Sequence, residues 1–172
     1  WHNERSEIEK NAGQIAAALI ERPEGLSTRT FGPETVRETA SLIMRGADLA
    51  HGGFGQAPKF PTPTNLEFLI TALDFLDSQQ ALPIARFLTQ TAREMARRGL
   101  YDQLGGGFHR YCVDGHWTIP HFEKMLYDNG QLASVYSRAY GLTGRETFRR
   151  VVVELIAWLE REMLADGGAF YT

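Results

Sequence analysis

Gly106-Gly107-Phe108 stands between the end of one amphipathic helix and the start of the next, and the same turn recurs: Gly52-Gly53-Phe54 lies before it and Gly168-Ala169-Phe170 after it. A turn repeated at about the interval of a helical hairpin marks a repeat array, in which each unit buries its apolar face against its neighbours. Reading outward from the three turns predicts six helices in three successive hairpins.

Ile8, Ala12, Ile15, Ala16, Leu19 and Ile20 have the spacing of one helical face, broken by Pro23 and Gly25. A second helix is expected from Pro33, with Val36, Ala40, Ile43 and Ala47 on one side, stopping before Gly52-Gly53. Thr64-Asn65-Leu66-Glu67 has the pattern of a capping box, which opens a third helix through Leu69, Ile70, Leu73 and Leu76, made apolar nearly all round by Phe68 and Phe75. The fourth is expected to open near Pro83 and to end at Gly99 in a left-handed cap. The fifth is expected to begin at Pro120 and run to Gly141, and Thr143-Gly144-Arg145-Glu146 predicts a capping box for the sixth.

The third and fifth helices carry few charges, whereas the fourth has Arg86, Arg93, Glu94 and Arg97 on one side and the sixth has Arg149, Arg150, Glu154 and Arg161. The even helices are therefore expected to form an outer layer that shields the odd ones. With 43% hydrophobic and 23% charged residues, residues 1–172 read as a single ordinary all-α domain. The net charge is -3, and no stripe of Lys and Arg is apparent along the chain, which argues against nucleic acid as a partner.

No apolar run is long enough for a membrane span, and Trp1 to Arg5 has neither the basic n-region nor the apolar h-region expected of a signal peptide. Cys112, the single cysteine, excludes an internal disulfide and favours an intracellular, cytoplasmic chain in which it serves packing. Trp1 to Arg5 does not read as a natural beginning and Asp166 to Thr172 stops inside a loop, so the chain is expected to be a piece of a longer protein.

Between Gly99 and Pro120 the helical period is lost, and a stretch of that length inside a domain usually carries function. Asp114-Gly115, flanked by 108–113 and 116–119, predicts a small β-hairpin with a two-residue turn. Alternation places His109, Tyr111, His116 and Thr118 on one face, with Arg110, Cys112 and Trp117 on the other. If the fifth helix begins at Pro120, His121, Lys124 and Asp128 share one stripe of it, facing a cavity at its positive end.

The candidate catalytic groups in this region are His109, His121, Asp102, Glu123 and Asp128. Imidazoles titrate near neutrality and can move a proton to or from carbon or oxygen, although a loop histidine bonded to backbone is an ordinary alternative. A pair of carboxyl groups could act as acid and base on a glycoside, and capping or salt bridges to Lys124 or Arg110 explain the same residues. Candidate binding groups are Lys59, Tyr101, Arg110, Tyr111, Trp117, Lys124 and Tyr127: the aromatic faces for stacking, the charged groups for hydrogen bonds. Lys59 is read as reaching the same mouth from the start of the third helix. The three histidines 109, 116 and 121 match no standard metal-ligand spacing, so neither a metal nor a cofactor is expected.

Three segments, Gly52-Gly53-Phe54-Gly55-Gln56-Ala57-Pro58-Lys59-Phe60-Pro61, Tyr101 through Tyr111, and Trp117 through Asn129, resemble the thioredoxin-domain-containing family related to spermatogenesis-associated protein 20. That resemblance implies a thioredoxin-like domain followed by an (α/α)6 toroid similar to N-acylglucosamine 2-epimerases and six-hairpin glycosidases. On that basis the chain is the first half of the toroid, three hairpins of six. The thioredoxin-like domain, a partner in the full-length chain, and the closing half are then absent.

Three functions are compatible with these residues: proton transfer on a carbohydrate as in an epimerase or isomerase, glycoside hydrolysis by paired carboxylates, and a non-catalytic helical platform for a partner. A half-toroid is expected to be inactive by itself. It is also expected either to self-associate or to have arisen by proteolysis of a longer chain, because the apolar sides of its inner helices lie open.

Overall fold

The computed structural model describes residues 4–20 and 31–171. The chain divides into two compact units at the Gly32–Pro33 boundary. The first unit contains helix α1, Arg5–Ile20, on which Arg5 pairs with Glu9 one turn later. The break expected at Pro23 and Gly25 lies outside the described residues.

The second unit contains α2 (Pro33–Met44), α3 (Pro63–Ala72), α4 (Ser78–Arg97), α5 (Leu126–Thr143) and α6 (Glu146–Trp158). A single 3-10 turn, Leu73–Phe75, extends α3, and a π turn, Leu159–Met163, extends α6. α3 packs on α2, α4 and α5, while α5 packs on α3, α4 and α6. Leu66, Leu69 and Ile70 from α3 meet Leu132, Val135 and Tyr136 from α5 in one buried cluster, to which α4 adds Phe87 and Met95 and α6 adds Phe148, Val151 and Leu155. The exposed faces of α4 and α6 hold the arginines, as the layer reading requires. Among the described residues no helix is long and apolar enough to cross a membrane.

Several element boundaries differ from the sequence reading, each for a local reason. The hydroxyl of Thr64 caps nothing; α3 starts two residues earlier than expected, at Pro63, and Thr62 holds the cap position in left-handed backbone, φ 40°. α4 begins at Ser78 because the Asp77 carboxylate accepts hydrogen bonds from the N–H groups of Gln79 and Gln80, which places Pro83 inside the helix. Gly99 is not a left-handed cap. A β-carbon there would come within 2.2 Å of the Thr118 carbonyl oxygen, so glycine is needed for close approach. The box expected at Thr143–Glu146 does not form either: the Thr143 hydroxyl donates to Ala139 O, and Gly144, φ 64°, ends α5.

The largest difference is at α5, which starts at Leu126 and not at Pro120. Residues 120–123 are not helical because their backbone is already committed to residues 110–112. His121 N donates to Tyr111 O, Arg110 N donates to Glu123 O, and Cys112 bridges both Pro120 and Lys59 in antiparallel sense. The expected two-residue turn at Asp114-Gly115 is replaced by a wider loop. The Asp114 carboxylate accepts from the N–H groups of His116, Thr118 and Ile119, and Val113 N then reaches Ile119 O. Isolated bridges thus stand where the hairpin was expected.

Candidate functional site

The glycine turns build the loop end of the second unit, and they do so with one repeated design. In the first, Gly52 N donates to Asp48 O and Asp48 N donates to Gly53 O; in the second, Gly106 N donates to Asp102 O and Asp102 N donates to Gly107 O. Each closes with an antiparallel bridge to its phenylalanine, Ala47 to Phe54 and Tyr101 to Phe108, and Leu164 bridges Phe170 in the third. The aspartate side chains fold back over the loops: Asp48 accepts from the N–H of Ala50 and His51, Asp102 from that of Leu104 and Gly105. Such Asx turns are local and need no distant partner.

A lysine then locks each aspartate. Lys59 is fully buried, and its ammonium donates to Asp48 and to Gly115 O while lying 5.1 Å from the centre of the Trp117 ring. Lys124 donates to Asp102 at 2.8 Å and to Gly106 O, and lies 5.0 Å from the centre of the Trp158 ring. Burial pushes both carboxyls up. The hydrogen bonds received outweigh it, from Lys59 and backbone at Asp48 and from backbone and Lys124 at Asp102, and hold both well below the usual carboxylate range.

These contacts commit several sequence candidates to holding the loop. Lys59 and Trp117 are fully buried, Trp117 donating through its indole N–H to His51 O. Tyr101 is buried and its hydroxyl donates to the Glu154 carboxylate at 2.6 Å; burial, then that carboxylate, drive its pKa far up. Lys124 and Asp102 are spent on each other and on the loop backbone. All five act as anchors because the loop's buried donors and acceptors must be met inside the protein. Cys112 is buried as expected, and burial pushes its thiol up to about 12.

The remaining candidates converge on the strand-like segments just before α5. Tyr111 lies between two rings, Phe60 at 4.8 Å and His121 at 4.7 Å, the latter nearly parallel at 15°. Glu123 stands beside both Arg110, at 3.6 Å, and His121 Nδ1, at 3.9 Å. Asp128 sits in the first turn of α5, where burial pushes its carboxyl up and the charge of Arg110 pulls against that. Tyr127, next to it, is exposed. His116 leaves this group and lies edge-on to His51, 4.2 Å between ring centres.

His109 differs from the others. It is 6% exposed, its Nδ1 is buried with no hydrogen-bond partner among the described residues, and the exposed Phe122 ring stands edge-on to it at 5.2 Å. Burial, then the nearby Lys124 charge, lowers its pKa and so favours the neutral ring. The backbone beside it is fixed by Asn129, whose side-chain oxygen accepts from Phe108 N and whose amide donates to Phe108 O. Asp48, Phe60, Phe122, Asn129 and Trp158 were not singled out in the sequence. Asp48 was findable, since it stands four residues before Gly52 as Asp102 does before Gly106.

No family model matches the chain. Its whole length aligns with spermatogenesis-associated protein 20 of Rattus norvegicus and of Homo sapiens, at 34% identity to each. The chain is homologous to one part of spermatogenesis-associated protein 20. It spans 22% of the length of those relatives. An uncharacterized protein of Caenorhabditis elegans is 38% identical over 99% of the chain, which covers 24% of that protein.

Among solved structures, a sugar epimerase from a ruminal bacterium matches 80% of the chain and 39% of its own, with a TM-score of 0.65 at 16% identity. Cellobiose 2-epimerase of Spirochaeta thermophila matches 87% of the chain and 41% of its own, with a TM-score of 0.63 at 20% identity. The fold of the chain is that of these α/α toroids, matched over about two fifths of their length.

Proposed function

We propose that the loop end carrying His109, Arg110, Tyr111, His121, Glu123 and Asp128 is one wall of a carbohydrate site, in which His109 moves a proton at the carbon next to a sugar carbonyl. The observation that carries this reading is His109 itself. A neutral imidazole has a nitrogen lone pair that can take a proton, and a buried polar atom without a partner asks for a ligand or a function. The solved neighbours named as sugar epimerases support the substrate class. The exposed Tyr127 and Phe122 rings and the stacked Tyr111 and His121 pair supply faces of the kind that hold a sugar ring.

Hydrolysis by paired carboxylates draws less support. A glycosidase acid must hold its proton, and Asp102 is locked as an anion by Lys124. Asp128, raised by burial, has the tendency that such an acid needs, and Glu123 would have to serve as its base.

The test uses the full-length protein to which this chain belongs, incubated in D2O with a panel of aldoses and N-acyl hexosamines. Incorporation of deuterium at the carbon beside the carbonyl is expected. His109→Gln should lower that rate by about a hundredfold or more, the contribution of a positioned general base. Release of free sugar from glycosides without exchange would favour the Asp128 and Glu123 reading. Absence of binding, exchange and hydrolysis together would leave the fold as a non-catalytic platform.

A further inference from the structure

Two charged helix faces hold none of the residues assigned to the carbohydrate site, and they meet. Arg86, Gln90, Arg93 and Arg97 recur at the spacing of one helical stripe on α4, which packs along α6. A groove of about 650 Å³ runs between the helices, walled by Arg93 and Arg97 on one side and by Arg145, Arg149 and Arg150 on the other. A shallower recess of about 400 Å³ shares Arg93 and Arg145 with it and adds Arg86 and Gln90. The chain has a net charge of -3, so this concentration of guanidinium groups runs against its overall sign.

The carboxylates in the wall are Glu146, held by Arg149, and Glu154, held by Arg150 and by the Tyr101 hydroxyl. Arg93 pairs with Glu94 outside the groove. The side chains of Arg97 and Arg145 are exposed and pair with no carboxylate among the described residues. Two unpaired guanidinium groups, one on α4 and one on the N-cap residue of α6, form a recognition element for carboxylates, which arginine binds through a planar fork of donors.

We propose that this groove docks an acidic segment of a partner protein, whose carboxylates engage Arg97 and Arg145. A nucleic-acid strand is the poorer occupant. Its charge recurs at every nucleotide and meets Glu146 and Glu154 in the wall, whereas a polypeptide can set carboxylates against the arginines and neutral residues between them. Val153, 54% exposed within the groove, offers an apolar contact for those neutral residues.

The test is fluorescence anisotropy on the full-length protein and on this chain with a labelled glutamate-rich peptide, a labelled oligouridylate of equal length and inorganic phosphate as competitor. Salt-sensitive binding of the peptide is expected, weakened about tenfold or more by Arg97→Ala with Arg145→Ala, on the scale of losing charge-assisted pairs. Arg97→Lys with Arg145→Lys keeps the charge and loses the fork, so it should fall between the two. Both side chains are exposed, so thermal melting of all variants should match the parent. Oligouridylate binding as tightly as the peptide, phosphate displacing the peptide at equal concentration, unchanged affinity in the alanine variant, or no peptide binding would each overturn the proposal.

Discussion

The ammonium of Lys124 lies 2.8 Å from the Asp102 carboxylate and 5.0 Å from the centre of the Trp158 ring, and one hairpin earlier Lys59 meets Asp48 and Trp117 in the same way. Two copies of one bracket therefore hold the glycine turns: an aspartate ties down its own loop, a lysine neutralises it, and an indole covers the lysine. The groups of the candidate site hang from the second bracket, since His109 follows Phe108 and Glu123 precedes Lys124 directly.

Removing one member of a buried pair leaves an uncompensated charge, which destabilises by about 3–5 kcal/mol. Asp48→Ala strands the fully buried Lys59 and should reach that range, whereas Asp102→Ala should do less harm, because the Lys124 side chain retains 15% exposure. Urea denaturation of the two variants checks the order. Both carboxyls titrate lower in the fold than in the unfolded chain, where aspartate has a pKa of about 3.9. Their contribution is complete above that value and is lost as the pH falls toward the folded pKa. Acidification below about pH 4 should therefore weaken the parent more steeply than the Asp48→Asn, Asp102→Asn double variant.

The second glycine of each of the first two turns is needed twice over. Gly53 and Gly107 have φ of 74° and 79°, and a β-carbon would come within 2.4 Å of Trp117 and 2.7 Å of Trp158. Alanine at either position combines left-handed strain with a clash against a buried indole and should destabilise by about 2–4 kcal/mol. Gly130 provides the contrast. It lies inside α5, where a β-carbon would meet nothing within 4 Å, so Gly130→Ala should stabilise by roughly 0.5–1 kcal/mol through helix propensity. Calorimetric melting of the three variants separates these effects.

The layering of the helices was legible because it depends on repeated apolar residues along α3 and α5, and many positions speak together. The start of α5 was not. Pro120, Phe122, Met125 and Leu126 mimic a helix opening, while the competing interactions, Cys112 with Lys59 and Pro120, and Tyr111 with His121, join residues that no local pattern connects. The candidate site was legible as a cluster of loop residues, but sequence could not say which of them face a ligand. Lys59 reads as a cation reaching a ligand mouth, and only the fold brings Asp48 and Trp117 around it. The arginine groove was hidden for the same reason: each helix showed its charged face, and only packing sets α4 against α6.

The ring stack makes a separate prediction. Tyr111 lies between Phe60 and His121, and its carbonyl accepts the His121 N–H at 2.9 Å. Tyr111→Ala removes both ring contacts and should destabilise by about 1–3 kcal/mol, whereas Tyr111→Phe keeps them and should be nearly neutral. Amide exchange at His121 should quicken in the alanine variant and stay protected in the phenylalanine variant. Equal exchange in the two would show that the backbone pairing stands without the stack.

His109 gives the sharpest prediction because its environment opposes charge on nearly every side: burial first, then Lys124 and His121, against Asp102 alone. Its pKa in the fold should lie below the unfolded value of about 6.5, and nitrogen-detected NMR should find one neutral tautomer at neutral pH. With the folded pKa lowered, the neutral ring contributes stability above the unfolded pKa. That contribution is lost as the pH falls through about 6.5 toward the folded pKa, where the unfolded chain binds the proton more readily. His109→Phe cannot take up a proton, so its stability should change less between about pH 7 and pH 5 than that of the parent. His109→Gln, which can bond but not titrate, should flatten the same limb and, in the full-length protein, remove sugar exchange as well. A folded pKa at or above the ordinary histidine value would remove the neutral base on which the proposed proton transfer depends.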